Sequence, residues 1–212
     1  MNFDLKKAQK SLVKVSGGTN SLGMGFLTEC GFVSAAHCLP RIPDPNDLSE
    51  AVKVKIKNLS ELESYALVSG VEPCLDLAIL SDSSSSGIGV DLAPVEMEEY
   101  FQLLRNMEEA QIYLEEPELE KEIIVYIYNH KGQWLEGRTV FLNPISLGLV
   151  INLSNQNERI ERGTSGAPVF NAEGQVLGVV NVAIENSPEG MMAYLANCLP
   201  GWALKELKLL QT

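Results

Sequence analysis

The sequence is short of histidine, of basic side chains and of long apolar runs. Its 212 residues include 2 His, and 16 Lys or Arg stand against 28 Asp or Glu, for a formal net charge of −12. This balance argues against nucleic-acid binding, which needs a positive surface to grip phosphates. No apolar run approaches the length of a membrane span, and residues 1–15 lack the apolar core of a secretory signal. We therefore expect a cytoplasmic protein with no membrane partner.

Patterns that bind metals or cofactors are equally scarce. The four cysteines, Cys30, Cys38, Cys74 and Cys198, show no CxxC pairing of the zinc type. No cluster of His, Cys and carboxylates has metal-ligand spacing, and no glycine-rich phosphate loop occurs. We expect no metal and no cofactor, and we expect the cysteines to be reduced thiols.

Apolar segments of strand length are abundant in this chain. They are rich in valine, isoleucine and aromatics, and Gly, Asn, Pro and Ser mark the gaps between them. The first series covers 11–15, 23–28, 31–36, 51–59, 64–71 and 76–80, and the second covers 122–129, 138–142, 147–153, 167–171, 175–183 and 191–197. Two groups of about six strands predict an all-β fold of two six-stranded antiparallel β-barrels.

The region between the two groups has a different composition. Residues 81–91 form a polar, serine-rich linker, and apolar side chains then recur at helical steps across 95–110. The apolar stripe of this predicted inter-barrel helix consists of Met97, Tyr100, Phe101, Leu104 and Met107. Ten Glu between residues 96 and 122 are interpreted as a solvated face. A second helix is predicted over 200–210.

These patterns divide the chain into three parts. The predicted domains are an amino-terminal barrel over 1–81, a linker and acidic helical connection over 82–121, and a carboxy-terminal barrel with its helix over 122–212.

Three short segments carry residues suited to acyl transfer. "GFVSAAHCLP" (31–40) places His37 directly after a predicted strand, and "ERGTSGAPVF" (161–170) places Ser165 between glycines that permit a tight turn. Such a turn can expose a hydroxyl nucleophile and aim backbone N–H groups at one point. "CLDLAILSD" (74–82) puts Asp76 at the mouth of an apolar strand, where burial is costly unless a partner such as histidine binds it.

The segments "VSAAHC" (33–38), "DLAIL" (76–80) and "GTSGAP" (163–168), in that order, resemble the catalytic segments of the chymotrypsin/trypsin-like serine peptidase family. The resemblance implies that Ser165 is the nucleophile, His37 the general base and Asp76 the group that orients it. It also implies an oxyanion hole made by the backbone N–H groups of Gly163 and Ser165.

The same resemblance assigns further residues around the cleft. Asn181 would support Asp76, and Val182 and Ala183 would pair with the substrate backbone as an added strand. Arg159 would lie at the floor of the primary specificity pocket and favour acidic side chains. The alternative is that Arg159 pairs with glutamates in a surface loop.

Several departures from the family pattern bear on regulation. Gly23 stands where secreted relatives have the cysteine that would bridge to Cys38, and Thr164 replaces the aspartate of trypsin-type zymogens. A serine endopeptidase of this kind would be highly specific, or held inactive until a protein partner orders residues 154–164. The alternative function is a catalytically silent member of the fold that binds a protein partner. The second histidine, His130, is predicted to be an exposed residue of a hairpin turn.

Overall fold

The computed structural model describes residues 3–16, 22–41, 51–73, 76–83, 90–113, 121–140, 148–155, 158–183 and 193–198. The helices are α1 (Leu5–Gln9) and α2 (Pro94–Arg105), and a 3₁₀ turn covers Ala36–Cys38. The strands of the first half are β1 (Leu12–Ser16), β2 (Leu22–Thr28), β3 (Gly31–Ala35), β4 (Lys53–Asn58), β5 (Glu63–Glu72) and β6 (Leu77–Ser81). The later strands are β7 (Gln111–Ile112), β8 (Glu122–Tyr128), β9 (Trp134–Val140), β10 (Gly148–Leu153), β11 (Pro168–Asn171), β12 (Gln175–Ala183) and β13 (Ala193–Cys198).

The first six strands form a closed antiparallel barrel. Its strand order is β1-β2-β3-β6-β5-β4, with β4 closing onto β1. Strand β4 shows why the sequence folds this way. Val54 and Ile56 are fully buried, whereas Lys53, the first residue of the strand, is exposed. This period of two places one apolar face inside the barrel. The predicted first barrel is confirmed.

The later strands form a seven-stranded sheet in the order β11-β8-β9-β10-β13-β12-β7. Strand β11 also pairs with β12, and the short β7 adds to β12 in parallel. The all-β class is confirmed, whereas a second six-stranded barrel stays a prediction.

A shared core joins the two halves of the molecule. Val169 and Phe170 of β11 belong to the same buried cluster as Leu12, Met24 and Leu77 of the first barrel. Phe3, before α1, stacks on Tyr126 at 4.7 Å between ring centroids and also contacts Trp134 and Phe170. The start of the chain therefore packs on the second sheet before the chain enters the first barrel.

Helix α2 begins at Pro94, one residue before the predicted helical region of 95–110, and ends at Arg105, with Asn106 as its cap. Tyr100 and Leu103 are buried against the first barrel, whereas Phe101 is 40% exposed. The predicted apolar stripe includes Phe101, yet Phe101 lies about 100° around the helix from the buried Tyr100 and does not share its burial.

The helix predicted over 200–210 lies outside the described residues. Among the helices of the described ranges, none has the length and apolar character to cross a membrane.

Candidate functional site

His37 and Asp76 form a tightly bonded pair at the rim of the first barrel. His37 lies in the 3₁₀ turn that follows β3, and Asp76 directly precedes β6, the strand that pairs with β3. The Nδ1 of His37 lies 2.6 Å from Oδ2 of Asp76, and the His37 backbone N–H donates to Oδ1 at 2.9 Å. Because a carboxylate only accepts hydrogen bonds, Nδ1 carries the hydrogen, and in the neutral ring Nε2 is left as an acceptor.

The backbone around Asp76 fixes this geometry. Asp76 has φ +51°, a left-handed conformation that Asp tolerates better than most residues. The Asp76 carbonyl accepts from the Ala36 N–H at 2.9 Å, so Asp76 is bonded to the backbone of the residue before His37 as well as to His37 itself. The Asp76 side chain is 21% exposed and that of His37 is 45% exposed, which leaves the ring accessible from the cleft.

The loop that carries Ser165 is bonded to the first barrel. The Met24 N–H of β2 donates to the Ser165 carbonyl at 2.7 Å, across 141 positions of sequence. On the other side, the Gly166 N–H donates to the Val180 carbonyl of β12 at 2.8 Å. The predicted nucleophile is thus fixed between the two halves of the molecule, with its backbone bonded to both.

Glycine is required at position 166. Gly166 has φ +86°, and a Cβ there would collide with the Met24 carbonyl oxygen and lie 2.7 Å from Oγ of Ser34. Ser34 itself donates to that same Met24 carbonyl at 2.7 Å. The turn that carries Ser165 therefore packs directly against the backbone of β2 and β3.

The backbone amides of the serine loop fall into two groups by their hydrogen bonds. The Thr164 N–H is bonded to the Glu161 carbonyl and the Gly166 N–H to that of Val180. Within the described part of the chain, no acceptor is bonded to the N–H of Gly163 or of Ser165. These are the two amides that the family resemblance assigns to the oxyanion hole, and Gly163 adopts φ +89°.

The Ser165 hydroxyl donates to the Asn181 carbonyl at 3.1 Å. The pairing of β12 with β13 shifts register between Val180 and Val182, so Asn181 is the extra residue of a bulge. Bulges beside active sites commonly redirect a backbone group in this way. In the described ranges, no hydrogen bond joins Ser165 Oγ to His37.

The side chain of Asn181 is half-buried, and no hydrogen bond to Asp76 is found among the described residues. Its predicted support of Asp76 stays a prediction. Val182 and Ala183 follow at the end of β12, where their backbones pair with β13.

Cys38 is buried next to the His37–Asp76 pair. Burial, with a smaller contribution from the Asp76 charge, raises the pKa of the thiol to about 12. A Cβ built on Gly23 would contact Sγ of Cys38 and lie 2.9 Å from its Cβ, so these two positions face each other as the family resemblance implied. Among the described residues, neither Cys30 nor Cys38 forms a disulfide. Cys38 is therefore a neutral, buried thiol at pH 7 and not a competing nucleophile.

Arg159 is exposed, and its Nη1 donates to the Glu158 carbonyl at 2.8 Å. Arg162, in the same loop, is exposed as well. The predicted role of Arg159 at the floor of a specificity pocket stays a prediction.

His130 lies in the turn between β8 and β9, as expected, but it is half-buried and not exposed. Its ring packs on the serine loop: a Cβ built on Gly163 would lie 3.2 Å from Cγ of His130. The next residue, Lys131, binds Glu161 at 2.5 Å and lowers the pKa of that carboxyl. Sequence reasoning missed this contact because only the tertiary fold brings the turn to the loop.

Among the described residues, no group of three or more His, Cys, Asp or Glu side chains is placed to hold a metal ion.

The fold matches solved serine proteases. The serine endoprotease from Yersinia pestis superposes with a TM-score of 0.61 and 15% identity over 97% of this chain and 64% of its own. Rv3671c from M. tuberculosis H37Rv, in an inactive mutant form, gives a TM-score of 0.59 and 18% identity over 98% of this chain and 91% of its own. This chain thus spans slightly less than two thirds of the Yersinia protein. No protein-family model and no curated protein matches the sequence. The chain has the trypsin/chymotrypsin-like serine protease fold that the three motifs predicted.

Proposed function

We propose that this protein is a serine endopeptidase that cleaves protein substrates through an acyl-enzyme intermediate. One observation carries the proposal: the serine loop is bonded to β2 of the barrel that holds the Asp–His pair, and two of its amides have no acceptor among the described residues. Acyl transfer requires a hydroxyl, an oriented base and oxyanion donors, and Ser165, His37 and these two amides would supply them.

In the proposed mechanism, His37 acts through Nε2. It takes the proton of Ser165 Oγ as that oxygen attacks the scissile carbonyl, and the Gly163 and Ser165 N–H groups stabilise the oxyanion. His37 then gives the proton to the leaving amine, and water repeats the sequence on the acyl-enzyme. Asp76 holds the imidazole in the required tautomer and stabilises its charged form.

The substrate would enter as an additional strand beside the end of β12. The Asn181 carbonyl, redirected by the bulge, points at Ser165 and not into the sheet. The backbones of Val182 and Ala183 would extend the pairing with the substrate. Arg159 would favour an acidic side chain before the cleaved bond, and a peptide-library profile dominated by aliphatic or basic residues would contradict this preference.

Ser165 Oγ donates to the Asn181 carbonyl, and within the described ranges it has no hydrogen bond to His37. Proton transfer to His37 would require Oγ to give up the bond to Asn181. This supports the proposal that a substrate or a protein partner completes the site by ordering residues 154–164. It is also the observation that favours the second candidate function, a silent protein-binding module.

The proposal also includes three assignments that concern the fold, the domains and the location of the protein. The second sheet would close into a barrel through the pairing of β11 with β12. The domains would divide at 1–81, 82–121 and 122–212, and the protein would act in the cytoplasm.

Fluorophosphonate labelling read by intact mass tests the proposal. We expect one adduct on the wild type and none on Ser165→Ala, with His37→Ala labelled at least about 100-fold more slowly. Near-ultraviolet circular dichroism of each variant controls for folding. A folded wild type that stays unlabelled, alone and with unfolded casein present, would favour the binding module.

A further inference from the structure

The turn between β8 and β9 is a rigid platform beside the serine loop. The buried Asn129 side chain accepts from the backbone N–H of Lys131 at 3.1 Å and of Gln133 at 2.9 Å. The backbone of Asn129 also bonds to Gln133 and Gly132 at 2.9 and 3.0 Å. Because both the side chain and the backbone of the buried Asn129 are bonded to the turn, His130 and Lys131 are held in fixed positions.

These two residues contact both ends of the segment that carries the oxyanion donors. His130 lies against Gly163, and its Nδ1 is 3.4 Å from Oγ1 of the fully buried Thr164. Lys131 bonds to Glu161 at 2.5 Å, and the Glu161 carbonyl accepts from the Thr164 N–H at 3.1 Å. The 161–164 turn is therefore held at its start by Lys131 and at its end by His130.

Gly163 needs such a support because it has no side chain of its own. At φ +89° its peptide groups can rotate at little steric cost, and rotation would turn its N–H away from the nucleophile. The His130 ring occupies the space beside Gly163, 3.2 Å from where a Cβ would stand, and so obstructs this rotation. The 3.4 Å approach to Thr164 is long for a hydrogen bond, so packing is the larger part of the interaction.

We propose that His130 is a positioning residue for the oxyanion hole, holding the Gly163 N–H in place through contact with Gly163 and Thr164. Lys131 assists by fixing Glu161. This inference rests on the proposed peptidase function for its catalytic consequence, but the positioning itself concerns only this chain's loop. The support comes from within the chain, which matters because Thr164 leaves no aspartate next to the nucleophile to be bonded by a cleaved amino terminus.

The first test separates the rate of phosphonylation from probe binding. With an alkyl fluorophosphonate, His130→Ala is expected to lower the maximal labelling rate about 10-fold, a fraction of the 100-fold or more lost with a full oxyanion donor. The probe concentration giving half-maximal rate stays unchanged. His130→Phe keeps a ring against Gly163 and restores the rate to within about 3-fold of the wild type, given the packing argument above. Lys55→Gln, which removes the exposed Lys55–Glu63 ion pair of the first barrel, is the control expected to label normally.

A double-mutant cycle tests the contact directly. Gly163→Ala places a Cβ 3.2 Å from Cγ of His130, so part of its loss arises from the ring. The fold-loss in labelling rate of the double variant Gly163→Ala/His130→Ala should therefore be smaller than the product of the fold-losses of the two single variants. Strictly multiplicative effects would show that the two residues do not act on each other.

Hydrogen exchange tests the positioning without catalysis. The Thr164 amide is bonded within the loop to Glu161, and the Gly166 amide bonds the loop to Val180 of β12, so both report the order of the loop. We expect them to exchange at least about 10-fold faster in His130→Ala and near the wild-type rate in His130→Phe, because local opening controls exchange. Unchanged exchange overturns the inference. Unlabelled but folded wild type with accelerated exchange in His130→Ala would overturn the proposed function alone.

Discussion

Gly166→Ala tests whether the serine loop is fixed by its close approach to the first barrel. The new Cβ would require φ +86° of a non-glycine residue, at a cost of about 1–2 kcal/mol. It would also displace the Met24 carbonyl and Ser34 Oγ, which disrupts the Ser34–Met24 and Met24–Ser165 hydrogen bonds, both 2.7 Å long. At about 1 kcal/mol for each bond, the total loss is roughly 3–4 kcal/mol.

Gly174→Ala is the matched control, because it shares the backbone strain without the collision. Gly174 has φ +82°, and its added Cβ would stand 3.7 Å from the Phe3 ring, an ordinary contact distance. Its expected cost is therefore the strain alone, about 1–2 kcal/mol. Thermal unfolding of a domain this size shifts by about 2–4 °C per kcal/mol, so Gly166→Ala should lower Tm by roughly 6–16 °C and Gly174→Ala by roughly 2–8 °C.

Urea titration of both variants gives the difference in unfolding free energy, and fluorophosphonate labelling gives the functional effect. Gly166→Ala should also lose labelling, because Ser165 is bonded through the same Met24 backbone. Equal destabilisation by the two substitutions, or normal labelling of Gly166→Ala, would refute the close-approach argument.

Three further predictions follow from burial and contacts. Burial raises the pKa of Cys38 to about 12. The folded state therefore loses stability as pH rises from the ordinary thiol pKa near 9 towards 12, by about 1.4 kcal/mol per pH unit. The difference in unfolding free energy between wild type and Cys38→Ala, measured by urea titration, should narrow over this range, and a constant difference would contradict the assignment. Phe3→Ala removes the stacking partner of Tyr126 and should cost about 2–3 kcal/mol, with altered Trp134 fluorescence in the folded state; an unchanged urea midpoint would show that the start of the chain does not stabilise the second sheet. Asp76→Asn should slow labelling by up to about 10⁴-fold through the wrong His37 tautomer while the fold persists, and near-normal labelling would remove Asp76 from the proposed mechanism.

The sequence alone determined the strand content and the order of the three motifs. Strand periodicity is a local property: in β4, the alternation of lysines with Val54 and Ile56 identifies a half-buried strand without reference to any neighbour. The glycines around Ser165 likewise indicate a tight turn by themselves, since few other residues adopt φ near +86°. The His37, Asp76, Ser165 order then pointed to one fold.

Contacts between distant segments were decided by the tertiary structure. The burial of His130 against Gly163 depends on how the β8–β9 turn lies over the serine loop, and its turn-like sequence carries no trace of that contact. The exposure of Phe101 was set by which face of α2 meets the barrel, a choice between neighbouring helix positions that periodicity left open.

The orientation of the Ser165 hydroxyl is a third case. It follows from a bulge at Asn181, which arises from the pairing of β12 with β13 and not from the residue types themselves. Local sequence thus fixes conformational preference and chemical type, while the distances that turn three residues into a site come from packing between segments far apart in the chain.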